Sequence, residues 1–304
     1  ITAAITPFIR ELVFVLGAVD NPNARRINKK PMPTIGGLAI FVAFNIGEFV
    51  LLRKDFPTHE LFSVLLASSV IILTGLIDDI LELKPRQKMF GIFVASLVVY
   101  FLAGIKVREL SLPFLGHIQL GWWSFPLTIF WILALTNAVN LIDGLDGLAT
   151  GVTLISLVTM GIVGFFFLKS WQHYVPIMCI MLAACLLGFL PYNFHPAKIF
   201  LGDTGALYIG FMISVLSLKG LKNVTFVSLL VPILILGVPI TDTVYAMIRR
   251  KLNKKNISQA DKHHLHHQLM RMGLSHRQTV LAIYGISLIF SFVSLLSLVS
   301  PRWG

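Results

Sequence analysis

The chain has 304 residues, of which 56% are hydrophobic and 13% are charged, and its mean hydropathy is +0.82. A soluble domain is typically about 45–50% apolar and about 25% charged, so this composition excludes an ordinary soluble domain. The net charge of +11 would suit a protein that binds nucleic acid. In a membrane protein, however, the positions of the positive charges along the chain are more informative than their sum, because they set the orientation in the membrane. No nucleic-acid partner is expected, and membrane lipids are the predicted surroundings.

Ten apolar segments follow one another along the chain. They lie at about 1–18, 36–52, 61–77, 89–104, 122–139, 148–168, 174–191, 205–218, 224–248 and 278–299. A helix needs about 20 apolar residues to cross the bilayer core, and no repeat or linker divides the chain. The segments predict an all-α polytopic membrane protein with about ten transmembrane helices, folded as a single integral membrane domain over residues 1–304.

Basic residues are unevenly distributed between the loops. One alternating set of loops carries 16 of the 25 Lys and Arg residues, and the opposite set carries 8. The positive-inside rule places the richer set in the cytoplasm. On the opposite side, residues 107–123 alternate around a Leu-Gly turn and end in Trp122 and Trp123. This pattern predicts a small external β-hairpin whose tryptophans lie at the membrane interface.

A carboxylate pair ends the third apolar segment on the predicted cytoplasmic side. Asp78 and Asp79 stand in the string GLIDDILELK, and Lys84 and Lys88 follow. Two carboxylates at a helix C-terminus oppose the helix dipole by about 0.3–1 kcal/mol each. Two solvated charges at a helix end would explain the pair, but we favour a site for a metal, a cationic side chain or a proton. Lys88 can bind a phosphate as a point charge.

Amide and acid residues recur every three positions from the end of the fifth segment onward, in the string NAVNLIDGLDGLATG. They are Asn137, Asn140, Asp143 and Asp146. This spacing predicts that their side chains lie along one slowly turning face, with glycines opening the backbone before the sixth helix. The alternative is an Asx-rich turn. We favour the shared face, because four such groups occur at a fixed interval.

A third acidic position lies at the start of the eighth segment, in NFHPAKIFLGDTGAL. Asp203 stands between Gly202 and Gly205. Oxygen ligands suit Mg²⁺, which usually takes one or two carboxylates and leaves its other positions to phosphate and water. One Asp in a glycine turn is weak evidence for such a site, but three acidic clusters on one side of one membrane are much stronger evidence for a divalent cation.

The remaining candidate functional residues lie in a histidine-rich loop and at one acidic position inside an apolar segment. The loop DKHHLHHQLMRMG contains His263, His264, His266 and His267. Zinc is a possible ligand, but no cysteine supports it, and imidazoles that bind a diphosphate or shuttle a proton are favoured. Asp242 lies inside the ninth segment and is a functional candidate, with pairing to Arg249 as the alternative.

These motifs together resemble the polyprenyl-phosphate N-acetylhexosamine-1-phosphate transferases, the family of the MraY and WecA/TagO enzymes. Five strings carry the resemblance in family order and cover almost the whole chain. They are DNPNARRINKKPMPTIGGLA, LIDDILELKPRQK, NAVNLIDGLDGLATG, FHPAKIFLGDTG and DKHHLHHQL. The His-x-His-His form at His264, His266 and His267 is similar to the WecA/TagO branch, whose donor is UDP-N-acetylglucosamine, whereas the MraY branch has three consecutive histidines.

The resemblance implies a role for each candidate residue and a set of partners. Asp203 is the expected ligand of Mg²⁺ or Mn²⁺, and Asp78, Asp79 and His264 are the expected catalytic residues. The expected substrate-binding residues are Lys88, Asn140, Asp143, Asp146, Asn193, Phe200, His263, His266 and His267. The partners are a UDP-sugar donor and a polyprenyl phosphate acceptor in the bacterial cytoplasmic (inner) membrane, with the active site facing the cytoplasm. A homodimer is compatible with the sequence.

The expected activity is transfer of N-acetylglucosamine 1-phosphate from UDP-N-acetylglucosamine to undecaprenyl phosphate, with release of UMP. This would be the first membrane step of a cell-envelope polysaccharide pathway. One alternative is another UDP-N-acetylhexosamine or the MurNAc-pentapeptide donor. A second is a transporter of lipid-linked sugars, which would need polar groups near the bilayer midplane on broken helices, whereas here they gather at one face.

Overall fold

The computed structural model describes residues 1–20, 31–51, 58–112, 116–167, 174–220, 237–252 and 265–299. Within these ranges the chain is mainly helical. Helices α1 to α11 span Thr2–Leu16, Gly37–Leu51, Thr58–Leu81, Pro85–Phe101, Ser124–Ile142, Leu148–Phe167, Tyr174–Asn193, Gly202–Gly220, Gly237–Leu252, Leu265–Arg271 and His276–Val299. Strands β1 to β4 span Val19–Asp20, Met32–Pro33, Glu109–Leu112 and Gly116–Gln119, and a 3₁₀ turn spans Gly121–Trp123.

The helices have the lengths and surfaces of a membrane bundle. Each of the ten predicted apolar segments coincides at least in part with a described helix. Five helical stretches in the described ranges are long and apolar enough to span a bilayer: Thr58–Leu81, Gly121–Ile142, Leu148–Phe166, Tyr174–Asn193 and His276–Leu296. Large apolar side chains such as Phe8, Phe130 and Phe166 are exposed on helix surfaces, where a bilayer would cover them. The chain is therefore a polytopic, mainly helical membrane protein.

Helix α8 is the central element of the bundle. Every residue from Thr204 to Lys219 is buried, and the helix packs against α2, α3 and α5. A helix that is apolar on all sides is expected in such a position. Because α8 begins at Gly202, its central location places the N-terminal turn, with Asp203, among the ends of its neighbours.

Small residues allow the backbones around the start of α8 to approach closely. A Cβ atom added to Gly37 of α2 would lie 2.0 Å from the Cα atom of Gly205, and one added to Gly75 of α3 would lie 2.4 Å from the Cα atom of Thr204. Small residues at such contacts are typical of helix pairs in membranes. These contacts fix the start of α8 against two other helices.

Replacement of Gly37 by Ala is expected to destabilise the protein by about 1–3 kcal/mol, the usual cost of overpacking a well-packed core. The added methyl group would meet backbone atoms, which cannot rotate away. Gly285→Ala in α11 is the matched control, because an added Cβ there has no atom within 4 Å. Thermal unfolding of both variants in detergent measures the difference, and equal midpoints would contradict the packing account.

Two short antiparallel strand pairs accompany the helices. Strands β3 and β4 pair with Glu109 opposite Gln119 and Leu112 opposite Gly116, within the segment predicted as a hairpin. Strands β1 and β2 pair near the start of α2, which the sequence pattern did not predict. Because each of these strands has two residues, no alternating pattern is long enough to reveal them.

Candidate active site

Four helix ends meet at one end of the bundle and bring together polar residues from distant parts of the sequence. Lys88, in the first turn of α4, contacts Asp78 Oδ2, and its Nζ lies 2.8 Å from Asp203 Oδ1. Asn140, in the last turn of α5, donates from Nδ2 to the same Asp203 oxygen at 2.5 Å. Lys88 Nζ also lies 3.5 Å from Asn140 Oδ1. We call Asp78, Lys88, Asn140 and Asp203 the lysine cluster.

The lysine cluster opens to solvent at Asp203. The exposed fraction of the side chain is 5% for Asp78, 18% for Lys88 and 33% for Asp203. An ammonium group shared between two carboxylates leaves one negative charge uncompensated within the cluster. Asp203 is therefore the carboxylate of this cluster that is most accessible to a bound cation or a soluble substrate.

Asp79 has a different environment from its neighbour Asp78. Its carboxylate accepts hydrogen bonds from the backbone N–H groups of Asp203 and Thr204, at 2.9 and 3.0 Å, and from Thr204 Oγ1 at 2.6 Å. These are donors at the start of α8, where a helix has unpaired N–H groups and a carboxylate is favoured. Gly202, with φ of 74°, lies against this carboxylate, and an added Cβ would be 2.6 Å from Asp79 Oδ2. Asp79 therefore positions the turn that carries Asp203.

Asp143 adds a further negative group beside the lysine cluster. Its carboxylate has no hydrogen-bond partner among the described residues. Burial raises the pKa of Asp143 well above its ordinary value, and the negative charges of Asp203, Asp79 and Asp146 raise it further. This environment favours either a proton or a cation next to Asp143.

The four polar residues predicted to share one face are divided by the end of a helix. Helix α5 ends at Ile142, so Asp143 and Asp146 lie in the following turn and no longer keep the helical spacing. Asn140 joins the lysine cluster, whereas Asn137 donates to the carbonyl of Leu133 at 2.8 Å. Asn137 Nδ2 also lies 3.0 Å from Met89 Sδ, so both amides face α4. The prediction of one shared face therefore holds within α5 and fails beyond Ile142, where the chain leaves the helix.

Asp146 belongs to a second polar group that sequence reasoning missed. Its Oδ2 lies 2.8 Å from His195 Nδ1 and accepts the Ala197 N–H at 3.2 Å. The backbone N–H of Asp146 donates to His276 Nε2 at 3.0 Å, and the two imidazole rings stack with centroids 4.2 Å apart. His195 stands in the NFHPAK string, two residues after the predicted Asn193, and this proximity was the available signal. No comparable sequence signal marked His276.

The part of the histidine loop that the structure describes lies beside the turn after α5. His263 and His264 fall outside the described residues. His266 is buried, and a Cβ added to Gly144 would lie 2.6 Å from its Nε2. The backbone N–H of Leu265 donates to Asp242 Oδ1 at 2.9 Å, so Asp242 holds the start of α10. The structure thus brings His266 next to Gly144, the residue that follows Asp143.

Asn193 is the last residue of α7, and Phe200 lies in the loop between α7 and α8. The Asn193 amide accepts from Thr150 Oγ1 at 2.7 Å and donates to the carbonyl of Ile199 at 3.1 Å, and the residue is buried. Phe200 accepts the Gly36 N–H at 3.0 Å through its backbone carbonyl. Because both polar atoms of the Asn193 side chain have internal partners, its geometry suits holding the loop better than contacting a ligand.

Comparison with known proteins places the chain among glycosyl and sugar-phosphate transferases. Residues 61–221 match the family described as Glycosyl transferase family 4. The chain is 44% identical to the probable undecaprenyl-phosphate N-acetylglucosaminyl 1-phosphate transferase of Bacillus subtilis (strain 168), over 98% of this chain and 82% of that protein. It is 34% identical to the decaprenyl-phosphate N-acetylglucosaminephosphotransferase of Mycolicibacterium smegmatis, over 93% and 76% of the two chains. It is 31% identical to a phospho-N-acetylmuramoyl-pentapeptide-transferase of Clostridium botulinum, over 96% and 90%.

The fold and these matches define a polytopic membrane transferase. The chain belongs to glycosyl transferase family 4, and the family resemblance predicted from its motifs is confirmed.

Proposed function

We propose that the chain transfers N-acetylglucosamine 1-phosphate from UDP-N-acetylglucosamine to undecaprenyl phosphate. An oxygen of the acceptor phosphate attacks the β-phosphorus of the donor, the bond between that phosphorus and the bridging oxygen breaks, and UMP leaves. The products are UMP and undecaprenyl-pyrophosphoryl-N-acetylglucosamine. The name of the 44% identical relative supports this donor and acceptor.

The observation that carries the proposal is the lysine cluster. Both reactants are anionic, so the site must offset their mutual repulsion and the charge that develops on the leaving phosphate. Lys88 lies at the junction of α3, α4, α5 and α8, beside Asp203, whose side chain is one-third exposed. A water-soluble donor and a lipid acceptor can meet only at a membrane surface, and the cluster lies at one end of the bundle.

The residues around Asp203 fit a divalent cation. Asp203 would hold it, and Asp143 lies near enough to Asp203 for their charges to interact. The Asp143 carboxylate has no hydrogen-bond partner among the described residues, so it is available to add negative charge to the site. In the described residues Asp203 is not part of a group of three ligand atoms within 4.8 Å of one another. Mg²⁺ itself takes few carboxylates and keeps positions for phosphate and water. When bound, such an ion would polarise the donor diphosphate.

The geometry separates the two members of the aspartate pair. Asp79 accepts three hydrogen bonds at the start of α8, so we assign it to positioning Asp203. Asp78 contacts Lys88 and accepts the Leu83 N–H at 2.8 Å, and we assign it to holding the ammonium group toward the acceptor phosphate. We propose that the histidine loop binds the sugar and diphosphate, since His266 packs beside Gly144.

Turnover is expected to depend on a divalent cation and on the donor sugar. Purified protein with undecaprenyl phosphate and Mg²⁺ should release UMP from UDP-N-acetylglucosamine and should refuse UDP-MurNAc-pentapeptide. Equal rates with the two donors would contradict UDP-N-acetylglucosamine as the preferred donor.

In the same assay, excess EDTA should abolish UMP release, and added Mg²⁺ or Mn²⁺ should restore it. Full activity in EDTA would contradict the proposed metal site.

The lysine cluster is expected to face the cytoplasm, with about ten helices crossing the bacterial cytoplasmic membrane. The basis is the excess of basic residues in the loops on its side. Lys84→Cys marks that side and Gln119→Cys marks the other, and both positions are exposed. The native Cys179 and Cys185 are buried. An impermeant maleimide added to intact cells should label Gln119→Cys and spare Lys84→Cys, and the reverse pattern would overturn the orientation.

A further inference from the structure

A small pocket with two basic side chains lies at the opposite end of the bundle from the lysine cluster. Its volume is about 270 Å³, and it is formed where the end of α4, the start of β3, the end of β4 and the start of α5 meet. Its lining residues are Tyr100, Lys106, Arg108, Gln119, Gly121 and Ser124. The transfer reaction gives this pocket no role.

The backbone holds the two cations on the same side of an extended segment. Ile105 and Val107 are buried, so the alternate residues Lys106 and Arg108 project away from the core. The Val107 N–H donates to Thr128 Oγ1 at 3.1 Å, and the carbonyl of Arg108 accepts the Leu120 N–H at 3.0 Å. The positions of the two basic residues are therefore built into the packing of the segment against α5.

The polar lining of the pocket is suited to an anion. Lys106 Nζ lies 4.8 Å from the centre of the Tyr100 ring, a cation–π contact that keeps the ammonium group at the pocket. Ser124 is 4% exposed, and its Oγ has no hydrogen-bond partner among the described residues. The nearby acid, Glu109, accepts a hydrogen bond from Gln119 Nε2. The two basic residues Lys106 and Arg108 outnumber this one acid, so the pocket has an excess of positive charge.

The surroundings of the pocket are suited to lipid chains. Phe101, Trp122 and Trp123 are 66%, 73% and 58% exposed, and the two indole rings stack with centroids 4.5 Å apart. Aromatic residues of this kind lie at the membrane–water interface. A volume of about 270 Å³ is just below the roughly 300–1,000 Å³ of sites that enclose a drug-sized ligand. It admits one headgroup, whereas attached chains would lie along the exposed aromatic surface.

We propose that this pocket binds the phosphodiester headgroup of an anionic phospholipid in the external leaflet. Lys106 and Arg108 pair with the phosphate, Ser124 Oγ and Gln119 face the polar part of the headgroup, and the acyl chains lie beside Phe101 and Trp122. The site depends on the residues of α4 and α5 at the end of the bundle away from Lys88, and it does not depend on the transfer reaction.

Tryptophan fluorescence tests the proposal on the full chain in phosphatidylcholine vesicles. Brominated phosphatidylglycerol should quench the fluorescence at lower mole fractions than brominated phosphatidylcholine, because a bound lipid lies beside Trp122 and Trp123. Lys106→Gln with Arg108→Gln should weaken this preference roughly tenfold or more, as expected for loss of two basic groups near a membrane surface. Coincident curves for the two lipids on the wild type, or an unchanged double variant, would overturn the proposal.

Three further arms locate the site and control for folding. Arg86→Gln removes one exposed basic residue from the other end of α4 and should leave the preference unchanged. Lys106→Arg with Arg108→Lys keeps both charges and should retain the preference, and a loss equal to that of the glutamine variant would refute the charge argument. Trp122→Phe with Trp123→Phe should remove the phosphatidylglycerol-specific quenching. Millimolar glycerol 3-phosphate, which has the phosphate ester but no acyl chains, should leave the quenching unchanged. Complete loss of the quenching would assign the pocket to a soluble phosphate ester instead of a lipid.

Discussion

Replacement of Asp203 by Asn is expected to lower turnover by about 10³-fold or more while leaving the fold intact. The change keeps the size of the side chain but removes the negative charge of the most exposed carboxylate in the lysine cluster. A group that holds a charge-stabilising ion contributes several kcal/mol to transition-state stabilisation, and each 1.36 kcal/mol corresponds to a factor of ten in rate. Initial rates of UMP release on wild type and variant give the ratio.

Glu82→Gln is the matched control for Asp203→Asn. Glu82 is exposed just beyond the end of α3, so its replacement removes the same charge at the same end of the bundle without altering the lysine cluster. The control should retain turnover within about twofold, because exposed charges in solvent interact weakly. A decrease equal to that of Asp203→Asn would show that net charge at this surface, and not the cluster, sets the rate.

Replacement of Lys88 by Met is expected to lower turnover roughly 10²–10³-fold, the range for loss of one electrostatic stabiliser. It should also destabilise the protein by about 3 kcal/mol, the lower end of the range for breaking a buried ion pair. The lower end applies because the Lys88 side chain keeps 18% exposure. The variant would leave Asp78, which is 5% exposed, without its cationic partner.

Two further variants separate charge from position at Lys88. Lys84→Met removes an exposed lysine four residues earlier. It should change neither rate nor stability, because the described hydrogen bonds of Lys84 are all made by its backbone N–H and carbonyl groups, which the substitution keeps. Lys88→Arg should recover the stability but only part of the rate, since a guanidinium group is larger and planar. Equal losses in Lys84→Met and Lys88→Met would contradict a specific role for Lys88.

The helical fold could be predicted from the sequence because bilayer-length apolar segments are a strong local signal. All ten segments coincide at least in part with described helices, although the number that cross the membrane stays a prediction. The close contact of Gly37 with Gly205 was beyond prediction, because the two residues are far apart in sequence and neither shows a periodic pattern. Such contacts depend on how the helices pack, which composition does not specify.

The sequence predicted which residues form the candidate site better than it predicted how these residues are arranged. The sequence preferred Lys88 to Lys84, and the structure brings Lys88 against Asp78 and Asp203 while Lys84 is exposed. The pairing of Asp146 with His195 and His276 joins residues 49 and 130 positions apart. No spacing rule connects single histidines at such separations, so only the fold reveals this group.

The position at which the donor breaks is the most direct test of the proposed reaction. UDP-N-acetylglucosamine labelled with ³²P at the β-phosphate can be incubated with undecaprenyl phosphate, Mg²⁺ and the purified chain, and the organic and aqueous phases can be separated. Attack at the β-phosphorus predicts that the label passes to the lipid phase and that unlabelled UMP appears in equal amount. Label that stays in the aqueous phase as UDP, with sugar transferred to the lipid, would contradict transfer of a sugar 1-phosphate.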